Sequence, residues 1–213
     1  TTFDEMIRQA HAALVGRPDL MAGRTSLTVF EGMTGMTENV FINIKNRSHA
    51  ITADVVVPEQ PAAGVVIAQA GRFGGWSLYF HEGKPAYAYN YVGLKTTKVI
   101  GDKPLPAGPA TVRMEFTYAG PGFGKGGTVA LLVNGEQVAE GRIEHTQGAI
   151  FSADEGVDVG EDGETNVSDD YAERDNHFTG KIGKVRIDVG PVQLADDDHQ
   201  TLRQHTVARK AAE

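Results

Sequence analysis

Between Arg72 and Gly93 the chain writes out an antiparallel hairpin almost letter by letter. Trp76, Leu78 and Phe80 alternate with Ser77, Tyr79 and His81, and after the turn His81-Glu82-Gly83-Lys84 the residues Tyr87, Tyr89 and Tyr91 share one face. Alternation with a period of two marks a half-buried strand, and a glycine in a four-residue turn supplies the positive φ that a tight hairpin needs. A chain that begins its core this way is committed to sheet.

The same pattern recurs. Strands are expected near 25–30, 40–45, 49–57, 64–70, 75–81, 85–91, 95–100, 110–118, 127–134, 136–144 and 180–189. The strongest is 110–118, where Val112, Met114, Phe116 and Tyr118 face inward and Thr111, Arg113, Glu115 and Thr117 outward. Asn134-Gly135 is a strong two-residue hairpin signal. Thr2 and Glu5 stand at capping-box spacing, and Phe3, Ile7, Ala10 and Leu14 fall on one face, which predicts a helix over 2–15 that Gly16-Arg17-Pro18 ends. Many short strands and almost no helix predict an all-β, antiparallel jelly-roll β-sandwich with a short N-terminal helix. The order of hairpins resembles that of concanavalin A/laminin-G-type domains. The expected divisions are a helix and linker over 1–22, the sandwich over 23–192, and a polar tail over 193–213.

Composition narrows the function classes. The 213 residues suffice for one sandwich with a sizeable core. No apolar run approaches the ~18–20 residues of a membrane span. The chain has no cysteine, so disulfides, thiolate metal sites and cysteine nucleophiles are excluded. Its net charge of −8 is local: ten carboxylates lie between Asp154 and Asp175 with Arg174 as the one cation among them, which puts −9 there and leaves the rest at +1. A nucleic-acid binder would carry a basic stripe, and none is present.

Four features invite a site. Asp158-Val-Gly-Glu-Asp162-Gly163 resembles the first half of a calcium loop. With Asp169 at the twelfth position, it makes Asp158, Asp162 and Asp169 the candidate Ca²⁺ ligands. Against that, Gly160 replaces an oxygen donor and no helices flank the loop, so the alternative is a long solvated loop. The turn Lys45-Asn46-Arg47-Ser48-His49, with Arg72 ahead of the tryptophan strand, offers cations that suit a sulfate or carboxylate; otherwise it is a surface turn with an Arg–Asp pair to Asp54. Trp76 with Tyr79, Tyr87, Tyr89 and Tyr91 makes either a sugar-stacking platform or core filling. The glycine-rich 121–128 lacks phosphate-loop spacing and reads as a long hairpin turn. No E-x-D-x-x-E, GxSxG or HExxH string occurs, so no catalytic constellation is visible.

Several separate strings from about Gly23 to Asp188 resemble the C-terminal region of large bacterial arylsulfatases. They include Gly23-Arg-Thr-Ser26, Ile44-Lys-Asn-Arg-Ser-His49, Ile51-Thr-Ala-Asp54, Gly71-Arg-Phe-Gly-Gly-Trp-Ser-Leu-Tyr79, Leu105-Pro-Ala-Gly108, Gly124-Lys-Gly-Gly-Thr128, Phe151-Ser-Ala-Asp-Glu155 and Phe178-Thr-Gly-Lys181. In that family a separate α/β domain carries the formylglycine made from C/S-x-P-x-R. This chain has no cysteine and none of its nine prolines stands in that motif, so no catalytic residue carries over. The resemblance implies a non-catalytic accessory sandwich that packs on a sulfatase catalytic domain. Lys45, Asn46, Arg47, His49, Arg72 and Trp76 would then be its substrate-lining candidates. The other reading is a free-standing carbohydrate-binding module whose small partner is a glycan or a sulfated ligand. The resemblance is bacterial, and cytoplasm and periplasm both remain open.

Overall fold

In the computed structural model the described residues are 5, 20–21, 23–38, 40–152, 154–195 and 197–198. They form eleven strands: β1 (Ser26–Val29), β2 (His49–Val57), β3 (Gly64–Gly71), β4 (Gly74–His81), β5 (Lys84–Tyr91), β6 (Lys95–Ile100), β7 (Gly108–Tyr118), β8 (Lys125–Val133), β9 (Glu136–His145), β10 (Val157–Val159) and β11 (Lys181–Val189). All neighbours are antiparallel, in a six-stranded sheet of order β1-β11-β2-β7-β8-β9 and a five-stranded sheet of order β10-β3-β4-β5-β6. Their inner faces supply one core. Ile51, Val112, Met114, Leu131, Val185 and Ile187 come from the larger sheet, and Trp76, Leu78, Phe80, Tyr87 and Tyr89 from the smaller. The chain is therefore the all-β sandwich expected. Of the helix over 2–15 only Glu5 is described, in helical conformation, and most of the tail over 193–213 also lies outside the described residues. Among the described residues no helix is long and apolar enough to cross a membrane.

The hairpins close as their residues require. Glu82 and Gly83 take φ of 52° and 78°, and Asn134 and Gly135 take 50° and 87°. Two successive positive values belong to the turn whose twist matches that of paired strands. Two expectations fail. The segment 40–45 is not a strand: Phe41, Ile42 and Ile44 are buried in the core, but the Asn43 Oδ1 accepts the Lys45 N–H at 2.9 Å and turns the chain away from any ladder. Conversely, β10 went unread because its three residues are embedded in the acidic stretch.

That stretch is not a solvated loop. The strands β3, β4 and β5 are buried along nearly their whole length, as happens when both faces of a sheet are covered. The cover is the segment 160–178. Its Val167 and Tyr171 pack on Val65, Ala68, Tyr79, Ala86 and Ala88 of the outer face, forming a second small core. Polar bonds fasten it. Asp170 Oδ2 accepts the Tyr79 hydroxyl at 2.5 Å, its Oδ1 accepts the Lys98 ammonium at 2.5 Å, and Asp162 Oδ2 accepts the Tyr171 hydroxyl at 2.6 Å and the Val167 N–H at 2.9 Å.

Candidate functional site

Among the described residues, two open recesses remain beside the strapped face: one of about 630 Å³ between the β6–β7 and β8–β9 turns, with Asp102 and Glu136 in its lining, and one at the end where β5, the β7–β8 turn and the segment after β9 meet. A pocket of about 430 Å³ opens there, lined by Tyr91, Val92, Phe123, Gly124, His145, Thr146 and residues 147–150, within the volume range of small-ligand sites. Alternation carries Tyr87, Tyr89 and Tyr91 along the inner face of β5. The first two are buried at 1% and 4% exposure, whereas Tyr91, the last residue of the strand, emerges half-buried at the rim. Its ring lies 5.8 Å from that of His145, at the end of β9. Phe123, from the glycine-rich turn, and Ile150 are each more than two-fifths exposed.

The walls are held from beneath by Asn46. This residue is buried and takes φ of 56°, a left-handed conformation that asparagine tolerates better than most side chains. Its Nδ2 donates to the Gly148 carbonyl at 2.8 Å, and its Oδ1 accepts the Gly124 N–H at 2.9 Å. One side chain thus ties both walls together. The Tyr89 hydroxyl accepts the Gln147 N–H at 2.7 Å and fixes the same segment to β5. Next to it, Val92 stands at φ 45°, a costly conformation for a β-branched residue. The adjoining turn is braced by the Gly93 N–H donating to Asn90 Oδ1 at 2.9 Å.

The turn that supplies most of the substrate-lining candidates acts as an internal brace, and its Lys45, Asn46 and His49 border a small cavity of about 10 Å³ with Tyr87, Tyr89 and Phe151. Lys45, Asn46 and Arg47 are buried, because the apolar segment before them folds into the core. Lys45 Nζ lies 2.9 Å from Glu38 Oε2, with both side chains nearly inaccessible, and sits 4.9 Å from the centre of the Phe151 ring. Arg47 reaches Glu5 at 3.2 Å, whereas Asp54 pairs with Lys184. His49 Nδ1 donates to the Arg47 carbonyl at 3.2 Å, and its ring lies 5.1 Å from that of Phe116. Its Nε2 is buried with no hydrogen-bond partner among the described residues. Burial brings its pKa from 6.5 down to about 4, helped by the Arg47 charge and opposed by the bond to the Arg47 carbonyl. Trp76 is fully buried, with its Nε1–H donated to Gln69 Oε1 at 2.9 Å, so it fills the core. Arg72 is exposed on the strap side and reaches Asp169 at 3.4 Å. The tyrosines likewise divide: Tyr79 points to the strap and only Tyr91 reaches the pocket.

Asp158, Asp162 and Asp169 do not converge. Asp158 caps backbone N–H groups of Gly35 and Gly163, Asp162 is committed to Val167 and Tyr171, and Asp169 faces Arg72. Among the described residues no three His, Asp or Glu side chains gather as a metal ion requires. The pocket residues Phe123 and His145 escaped the sequence reading because hairpin alternation says which face a residue takes, not which strand ends meet across the sheets.

No protein-family model matches the chain, and comparison with curated protein sequences finds no match. Solved structures do match. The CBM40 of the Ruminococcus gnavus IT-sialidase, bound to α2,3-sialyllactose, is similar with a TM-score of 0.51 at 14% identity, covering 82% of this chain and 94% of that one. A second structure of the same CBM40 gives 0.51 at 13% identity, over 84% and 96%. The LG4–5 pair of the mouse laminin α1 chain gives 0.45 at 15% identity, over 83% and 42%. None of these is part of a sulfatase, so the arylsulfatase resemblance rests on the sequence strings alone. At such identities the likeness is one of fold alone: two antiparallel sheets packed as a sandwich, as in the CBM40.

Proposed function

We propose that this domain is a non-catalytic carbohydrate-binding module whose ligand sits in the pocket between Tyr91, Phe123 and His145. The observation that carries the reading is the pocket itself. It has partly exposed aromatic rings for the apolar faces of a sugar, polar groups of Thr146 and residues 147–150 for its hydroxyls, and a floor fixed by Asn46. Such preorganisation limits the ordering that binding requires. The sandwich neighbour bound to sialyllactose supports the reading by analogy of fold. Tyr91→Ala and Phe123→Ala are each expected to weaken glycan binding roughly tenfold, about 1.4 kcal/mol, with little change in melting temperature, because both rings are part-exposed. Titration calorimetry with a glycan first found on an array measures this. Variants that bind as tightly as the parent would remove the pocket from the reading.

A second reading, the accessory domain of a sulfatase, is favoured by a different observation. Beside the pocket, Phe73 and Leu94 are 77% and 82% exposed on adjoining turns, with Val92 at 40% between them and the pocket. A cluster of bare apolar side chains on hairpin tips is the kind of surface that another protein covers. On this reading the chain co-elutes with an arylsulfatase catalytic domain in gel filtration, and Phe73→Ser/Leu94→Ser abolishes co-elution. Separate elution of the unmodified chain would discard it.

A further inference from the structure

We infer that the pocket takes an anionic saccharide, one carrying a sulfate half-ester or a carboxylate, with Lys95 and Lys125 as the residues that recognise its charge; this rests on the glycan reading above. The first observation is what the lining lacks. The chain has 28 acidic residues against 20 lysines and arginines, yet no Asp or Glu lines the pocket. An anion entering there meets no carboxylate in the wall.

The second is the register. Lys95 is the direct cross-strand partner of Tyr91, and Lys125 that of His145. Directly paired residues in antiparallel strands project from the same face of the sheet. Alternation agrees: Thr97 and the buried Val99 continue the face of Lys95, and the buried Val129 and Leu131 continue that of Lys125. Each lysine therefore leaves its sheet on the side of the pocket, one from each sheet. Lys125 also folds back across Gly122, its Cε lying 2.5 Å from where a Cβ there would stand, which carries its ammonium along the turn that bears Phe123.

The third is that both ammonium groups are uncommitted. Most cations of the fold have a carboxylate within reach, among them Lys45, Arg72, Lys98, Arg113, Arg142, Lys184 and Arg186. Lys95 and Lys125 are exposed and make no ion pair among the described residues. Paired charges contribute to the fold, whereas two unpaired ones flanking an aromatic recess in an acidic protein steer and hold an anion.

An array of sulfated, uronate-bearing and neutral saccharides tests this, followed by titrations of the full chain with the best member of each class. Sulfated or uronate ligands are expected to bind at least tenfold more tightly than their neutral counterparts, and their binding should weaken with added salt. Lys95→Gln/Lys125→Gln should erase that advantage and leave neutral binding and the melting temperature as they were. Hits confined to sulfated, or to uronate, members support the inference and identify the anion. Neutral sugars bound as tightly as anionic ones by both proteins would overturn the charge assignment and keep the pocket. Silence across every class would overturn the glycan reading, and this inference with it.

Discussion

Lys45→Met is expected to lower the stability of the domain by about 3–5 kcal/mol, the loss typical of removing one partner from a buried ion pair. Glu38 and Lys45 are nearly inaccessible, and their 2.9 Å contact is charge on charge. Without the ammonium, the Glu38 carboxylate stays buried with, among the described residues, only the Phe151 N–H, at 2.6 Å, left to answer it. The Lys45 contact with the Phe151 ring is lost as well, a further contribution of up to about 2 kcal/mol in a desolvated setting. Because domains of this size are stable by only about 5–15 kcal/mol, urea unfolding should show the midpoint collapse. Adding Glu38→Gln to Lys45→Met should recover part of the loss, since the buried charge is gone and a glutamine oxygen still accepts the Phe151 N–H. A single variant within 1 kcal/mol of the parent would mean that the pair is solvated. The effect reaches the pocket too, because Glu38 and Lys45 anchor Phe151, next to the 147–150 wall.

How far the sequence told this in advance depended on which interactions were local. Hairpins were legible because alternation and turn residues act over a few positions: Trp76, Leu78 and Phe80 on one face, Asn134-Gly135 at a turn. What covers a face was harder to see, though a signal was present. The strands β3 to β5 read GVVIAQAG, GGWSLYFH and KPAYAYNY, with few charges on either face. A sheet so written must be covered on both sides, and the segment able to reach it was the one that charge alone had marked as solvated. Its carboxylates read in sequence as a calcium loop or a water-facing run, yet Asp162 and Asp170 are acceptors for two tyrosine hydroxyls. The pocket was least legible. Tyr91 was singled out with its neighbours, but what separates it from Tyr87 and Tyr89 is its place at a strand end opposite His145, a relation between two sheets. The Lys45–His49 turn stands out in sequence by its charges. Its burial follows from Phe41, Ile42 and Ile44 just ahead of it, which draw it inward whether or not they form a strand.

Between pH 4 and 6 the stability of the unmodified domain should change little through the two groups whose shifts span that range, His49 and Asp162, whereas Asp162→Asn should lose about 1 kcal/mol for each pH unit of acidification across it. The two groups oppose each other. His49 is held neutral by burial, with a pKa near 4 in the fold against 6.5 when unfolded. Below pH 6.5 the unfolded chain takes up a proton that the fold refuses, so the stability His49 contributes is complete above 6.5 and drains away as pH falls toward 4. Asp162 runs the other way. Burial raises its pKa from 3.8 to about 6, with the charges of Asp158 and Glu155 adding to the rise and the Tyr171 and Val167 donors resisting it. Its contribution is complete below 3.8 and is lost as pH climbs through 6, because the unfolded chain has by then released a proton that the fold retains. Asp170 does not disturb this balance. Burial pushes its carboxyl up, but Lys98 and Tyr79 outweigh burial and bring it below the ordinary range, so its contribution is lost only at pH values under this window. Asparagine at 162 keeps an oxygen for Tyr171 and Val167 but cannot titrate, which leaves the His49 slope unopposed. His49→Phe, beside Phe116, should do the converse and make the domain more stable toward acid across the same window. Urea midpoints at half-unit steps measure all three proteins. Curves for Asp162→Asn and the parent that run parallel from pH 4 to 6 would show that the strap carboxylate titrates like an exposed one, and the buried acceptor role assigned to it would fail.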